Sequence, residues 1–140
     1  MARLQAVRHL ASVLVCAIAL LPSPGRAQEQ LLAQYRADLG TDDYYTSDGV
    51  RHDTLAALLA QDRENYHIHG VQHGHDSHDP IFASADMRRQ INLATVDVSS
   101  YHAPYASNLL TCQSGCGTFL FVKVFGTGDT ITRINIDVPE

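Results

Sequence analysis

GTFLFVKVFGTGDTITRINIDV, residues 117–138, decides the architecture. Two runs rich in aromatic and β-branched residues flank GTGD (126–129), a link of hairpin length. The second run, TITRINIDV (130–138), alternates: Thr132, Ile134, Ile136 and Val138 point one way, and Arg133, Asn135 and Asp137 the other. One face is built for a core and the other for water. A slip of one residue would exchange them, so the alternation fixes the register. Two shorter segments upstream, ATVDVS (94–99) and NLLTC (108–112), read as further strands, with SYHAPYAS (100–107) a loop between them.

Towards the N-terminus the period changes. EQLLAQYRADLG (29–40) sets Leu31, Leu32, Tyr35 and Leu39 along a helical stripe, and Gly40 offers a stop. TDDYYTSDGV (41–50) is a turn-rich connection. Aligned on Asp48-Gly49 as a calcium loop, it would place Tyr44 and Leu55 where acids belong, so the reading is a solvated loop. Asp53 is placed to cap a second helix through TLAALLAQDRENY, and a third is expected from Pro80 or Ser84 to about Leu93. Helices early and strands late give an α+β domain: two or three N-terminal helices packed on a C-terminal antiparallel sheet of three or four strands.

Residues 1–27 stand apart. Arg3 and Arg8 precede the apolar run LASVLVCAIALL (10–21), and small Gly25 and Ala27 follow it. That order is a secretory signal peptide with cleavage after Ala27, and Pro22 and Pro24 end the run before it could span a membrane. Residues 28–140 then form one domain, exported to the bacterial periplasm or secreted, with no stable membrane anchor. They carry 7 basic and 15 acidic residues, a net charge of -8 with neutral histidines. Such a surface repels phosphate backbones, which excludes nucleic acid as a partner.

After cleavage Cys112 and Cys116 are the two cysteines left, and an oxidising compartment makes them a disulfide at the start of a hairpin. Closing so short a loop stabilises by at most about 2 kcal/mol. The rival reading is a redox or copper-binding pair. Redox pairs sit at a helix N-terminus, whereas Cys116 leads into an apolar strand.

HIHGVQHGHDSHD (67–79) holds five of the chain's eight histidines. Imidazole suits zinc, nickel or copper(II), and a site needs three or four groups on one ion. His67 with His69, and His73 with His75, share a face where the chain is extended; His78 and the oxygen of Asp76 are next candidates. His73 and His75 lead, because Gly74 lets the chain bend around an ion. His52 and His102 are possible distant ligands. The competing reading is a solvated connector in a structural or protein-interaction domain.

HGHDSH (73–78) resembles the H-x-H-x-D-H pattern of the metallo-β-lactamase family in its three histidines. Ser77 stands in place of that motif's aspartate, and the chain is too short for that family's two-sheet fold, so no enzyme is implied. Metalloprotease helix, nucleophile elbow, phosphate loop and dinucleotide fingerprint are all lacking from the sequence. The expected role is metal binding or buffering, against a non-catalytic interaction domain of the cell envelope whose protein partner the sequence does not name. Tyr101, His102, Pro104 and Tyr105 offer a further recognition edge.

Overall fold

Residues 117–138 fold as the hairpin their alternation predicts. The computed structural model describes residues 28–112 and 117–139, and within them the chain is α+β. In order come β1 (Gln30–Leu39), α1 (Leu55–Glu64), α2 (Ala85–Ile91), β2 (Thr95–Val98), α3 (Ala103–Thr111), β3 (Thr118–Thr127) and β4 (Thr130–Asp137). They build one four-stranded sheet in the order β1-β3-β4-β2. β3 pairs antiparallel with both β1 and β4, and β2 pairs parallel with β4, so the sheet is mixed rather than antiparallel.

The hairpin turns at Gly128, which holds φ +57°, with Thr127 and Thr130 facing across it. Gly126 is required for another reason: a Cβ there would lie 2.0 Å from the Thr130 carbonyl oxygen. Phe125 opposes Arg133 and Gly126 opposes Ile131, which leaves Thr132 as an extra residue in the ladder. This bulge corrects one assignment of faces. Ile131, Ile134 and Ile136 are buried as a set, and Thr132 is turned to solvent.

The largest correction concerns residues 29–40, which form a strand and not a helix. Leu31, Leu32, Tyr35 and Leu39 fit a helical stripe, but Ala33, Tyr35, Ala37 and Leu39 fit period two equally well, and those four are buried. Tertiary pairing decides between them. As a strand the segment gains a ladder with β3 along almost its whole length, which local propensity does not weigh. The helices are accordingly interleaved with the strands rather than gathered at the N-terminus.

A second correction lies at 100–112. The expected loop and the expected strand NLLTC together form α3, with Pro104 in its first turn, where a missing N–H costs nothing. Ala106 and Leu109, three apart, are its buried face. α1 starts as expected but one residue later: Thr54, not Asp53, is the cap, and its hydroxyl accepts from the Ala57 N–H at 3.2 Å. The third helix runs within its expected bounds, as α2. The core lies on one face of the sheet, where Leu58, Leu59, Phe82, Ile91 and Leu109 cover the inward residues of β1, β3 and β4. Cys112 caps α3, so the connection to β3 runs from helix to strand and is not a hairpin; Cys116, and with it the expected disulfide, lies outside the described residues.

Candidate functional site

The histidine-rich segment begins where α1 loosens. After Glu64 the helix widens into one π-helical turn, Asn65–His69, and ends at Gly70 with φ +68°. The chain then runs back along the outer edge of β1. Ser77 N–H donates to the Arg36 carbonyl at 3.1 Å, Arg36 N–H donates to Ser77 Oγ at 2.8 Å, and Asp38 N–H donates to Asp76 Oδ1 at 2.8 Å. A sheet edge otherwise presents unpaired backbone groups to any passing chain. The segment is a clamp on that edge.

Beneath the clamp lies a buried charge cluster centred on Arg63, which is 0 % exposed. Its Nε reaches Asp62 Oδ2 at 2.7 Å, Nη1 reaches Asp79 Oδ2 and the Ser77 carbonyl at 3.1 Å each, and Nη2 reaches Asp76 Oδ1 at 3.5 Å. The guanidinium lies 4.3 Å from the Tyr35 ring centre and 4.6 Å from that of Tyr66. Asp79 Oδ1 also accepts from the backbone N–H groups of Ile81 and Phe82, so Asp79 caps the turn after the clamp and does not open a helix at Pro80.

Burial sets the electrostatics. It pushes Asp62 up to about 7 against the opposing pull of Arg63. It likewise raises Asp43, despite hydrogen bonds from Asn65 and the Gly40 N–H. Asp79 is buried too, yet hydrogen bonds from His67, the Phe82 N–H and Arg63 outweigh burial and hold its carboxyl below the usual value. The charges of the neighbouring acids keep Arg63 raised, hence permanently charged.

Each histidine of the segment finds a different environment. His67 Nε2 lies 2.8 Å from Asp79 Oδ2. His69 is exposed, 4.0 Å from Glu64. His73 Nδ1 sits 3.6 Å from Asp43 Oδ2 and 3.8 Å from Asp76 Oδ2, its ring laid so closely on Gly40 that a Cβ there would meet Nε2 at 2.1 Å. His75 Nδ1 lies 3.0 Å from Asp38 Oδ2, and its ring stacks on Phe119 with centres 4.7 Å apart. His78 is exposed, its ring centre 5.8 Å from that of His67.

The structure therefore brings His67 beside His78, and His73 beside Asp76, and keeps the two pairs on different partners. His73 and His75, the leading pair from sequence, turn to different carboxylates. Among the described residues no group of three or more His, Cys, Asp or Glu side chains is arranged to hold a metal ion. His52 contacts Gln61 at 3.4 Å and His102 contacts Ser99 at 3.0 Å.

Sequence reasoning missed Arg63, Asp62, Asp43 and Asn65. One signal was present. Asp62 and Arg63 stand four residues after Leu58 and Leu59, on the stripe that those leucines mark as buried.

The far face of the sheet is the other feature. Register places Arg36, Phe121 and Asp137 in one row across β1, β3 and β4, and Gln34, Lys123 and Asn135 in the next. Phe121 is 43 % exposed and meets Phe119 edge to face, with centres 5.6 Å apart. Arg133 lies over Phe125 at 4.0 Å. A groove of about 550 Å³ opens on this face, lined by Gln34, Arg36, Ser77, Phe121, Lys123 and Asp137 among others. The expected tyrosine edge is solvent-facing as well: Tyr101 and Tyr105 are exposed beside His102 and Val138.

Among the described residues no helix is long and apolar enough to cross a membrane. Compared with known proteins, the chain matches no family model, no curated protein and no solved structure.

Proposed function

We propose that the chain is an exported, non-catalytic binding domain that meets a protein partner with the open face of its sheet. In this reading the histidine-rich segment is a structural clamp on the edge of β1. The observation that carries it is Phe121: a large aromatic side chain set outward in the middle of a sheet, between a cation and an acid, with a second aromatic beside it. Interfaces are enriched in aromatic side chains and arginine at their centres, and a solvated sheet face has no structural need of them. Export rests on the charge, apolar run and small residues of 1–27.

The reading of the segment as a clamp is supported by its partners. His67, His73 and His75 each face a carboxylate, and Ser77 and Asp76 bond the backbone of β1. A metal ion would have to compete with all of these.

Photo-crosslinking in cells tests the binding face. A benzophenone side chain in place of Phe121 should give an adduct, and the same group in place of Leu93, exposed in the turn after α2 and outside the groove, should give none. No adduct at 121, or equal adducts at both positions, would refute it. Calorimetry with zinc at pH 7.5 tests the clamp. We expect a Kd no tighter than about 10 µM, weaker than about -7 kcal/mol. Submicromolar binding that disappears in a His73→Ala, His75→Ala variant would return the segment to zinc, nickel or copper(II) chemistry.

A further inference from the structure

The row Arg36–Phe121–Asp137 is positive, apolar and negative in sequence across three neighbouring strands. Such a row is complementary to itself. A two-fold axis parallel to β3, lying between two facing sheets and passing over Phe121, sets Phe121 on Phe121 and puts each Arg36 opposite the other copy's Asp137. Resting on the reading of the open face as an interface, we infer that the partner on this face is a second copy of the chain.

Three observations bear on this. Arg36 is exposed, lines the groove and forms no ion pair among the described residues. Asp137 is held only at long range, Oδ2 3.9 Å from Lys123 and Oδ1 4.0 Å from His102, so both of its ion pairs are weak. The face carries acids and bases in alternation, so it has no field of one sign to attract a strongly acidic or basic partner. Isologous contacts require a patch that meets itself, and this row satisfies that condition in one orientation only: rotation about an axis along the row would set Arg36 on Arg36.

The expected strength follows from area. Strands about 4.8 Å apart and 3.3 Å per residue give this face roughly 500 Å² per copy, below the roughly 800 Å² per partner of a stable specific interface. Lys123 also lies near the axis and faces its own counterpart. The dimer is therefore concentration-dependent, with a Kd on the order of 10–100 µM.

Sedimentation equilibrium on the protein recovered from cells, at concentrations from about 1 µM to 1 mM, reads this directly. The mean mass should climb from that of one chain towards that of two. Phe121→Glu should hold the chain monomeric, and Arg36→Glu or Asp137→Arg alone should weaken association at least tenfold. The double exchange R36E/D137R restores the opposite pairing and should recover most of the loss, with circular dichroism confirming that every variant folds. Absence of any dimer up to 1 mM, or a double exchange no better than the singles, overturns the second-copy proposal. A monomer whose position-121 crosslink captures a heavier protein removes the second copy while the open-face interface stands. A dimer indifferent to Phe121→Glu, with no adduct at position 121, removes both.

Discussion

Asp62 is where burial and charge oppose each other most directly. The side chain is 1 % exposed, with Oδ2 2.7 Å from Arg63 Nε, yet burial raises its pKa from 3.8 to about 7. A carboxyl raised by folding holds its proton more tightly in the native state. Its contribution to stability is therefore complete below about pH 3.8 and is lost as pH rises through about 7. Roughly three pH units at about 1.4 kcal/mol each set an upper figure of about 4 kcal/mol. Arg63 stays charged across this range and adds nothing to the slope. Asp79 acts in the opposite sense: its lowered carboxyl stabilises above pH 3.8, and that part is lost on acidification below it. Asp62→Asn removes the titration, preserves the shape and leaves an amide oxygen for Arg63 Nε. Urea unfolding at pH 4.5 to 8 should show the wild type losing about 2–4 kcal/mol relative to the variant as pH rises. At pH 8 the variant should be at least as stable. A variant more than about 2 kcal/mol weaker at pH 8 would mean that attraction to Arg63 outweighs burial, and the reasoning would fail.

Three further outcomes are expected. Tyr35→Phe removes a buried hydroxyl that has no hydrogen-bond partner among the described residues, so unfolding free energy should be unchanged or higher by up to about 1 kcal/mol. A loss beyond that would show a bonded hydroxyl. Ile134→Ala should cost about 2–5 kcal/mol in urea, and Thr132→Ala less than about 1, because the bulge turns Thr132 outward; equal costs would refute the register. Cys112 and Cys116 should resist alkylation in the native protein, and reducing them should destabilise by at most about 2 kcal/mol. Two alkylated thiols would refute the disulfide.

Period-two alternation was legible where both signals agreed. β4 alternates polar with β-branched residues, and no helical stripe competes, so the strand and the buried pair Ile134 and Ile136 follow from sequence, whereas the bulge that turns Thr132 outward does not. β1 was misread because alanine carries little hydrophobic signal, although Ala33 and Ala37 are as buried as Tyr35 and Leu39. What makes it a strand is its ladder with β3, some ninety residues away. α3 was misread for a related reason. Leu109 and Leu110 side by side suit either structure, and Pro104 marks a loop as readily as a first helical turn.

The histidine segment shows why composition points to the right place without giving its chemistry. Three of the five histidines meet acidic neighbours, and these come both from distant positions, Asp38 on β1 and Asp43 after it, and from Asp76 and Asp79 within the segment. Local spacing identifies which imidazoles could share an ion. It does not register that His67, His73 and His75 each face a carboxylate placed by the fold, while His69 and His78 stay exposed. Arg63 is the hinge of that arrangement, since one buried cation draws Asp62, Asp76 and Asp79 inward and thereby fixes the path of the chain between them. With the acids committed to Arg63 and to the backbone of β1, the segment closes one edge of the sheet. The far face is not covered by this segment, and there Arg36, Phe121 and Asp137 stand in one row along the groove.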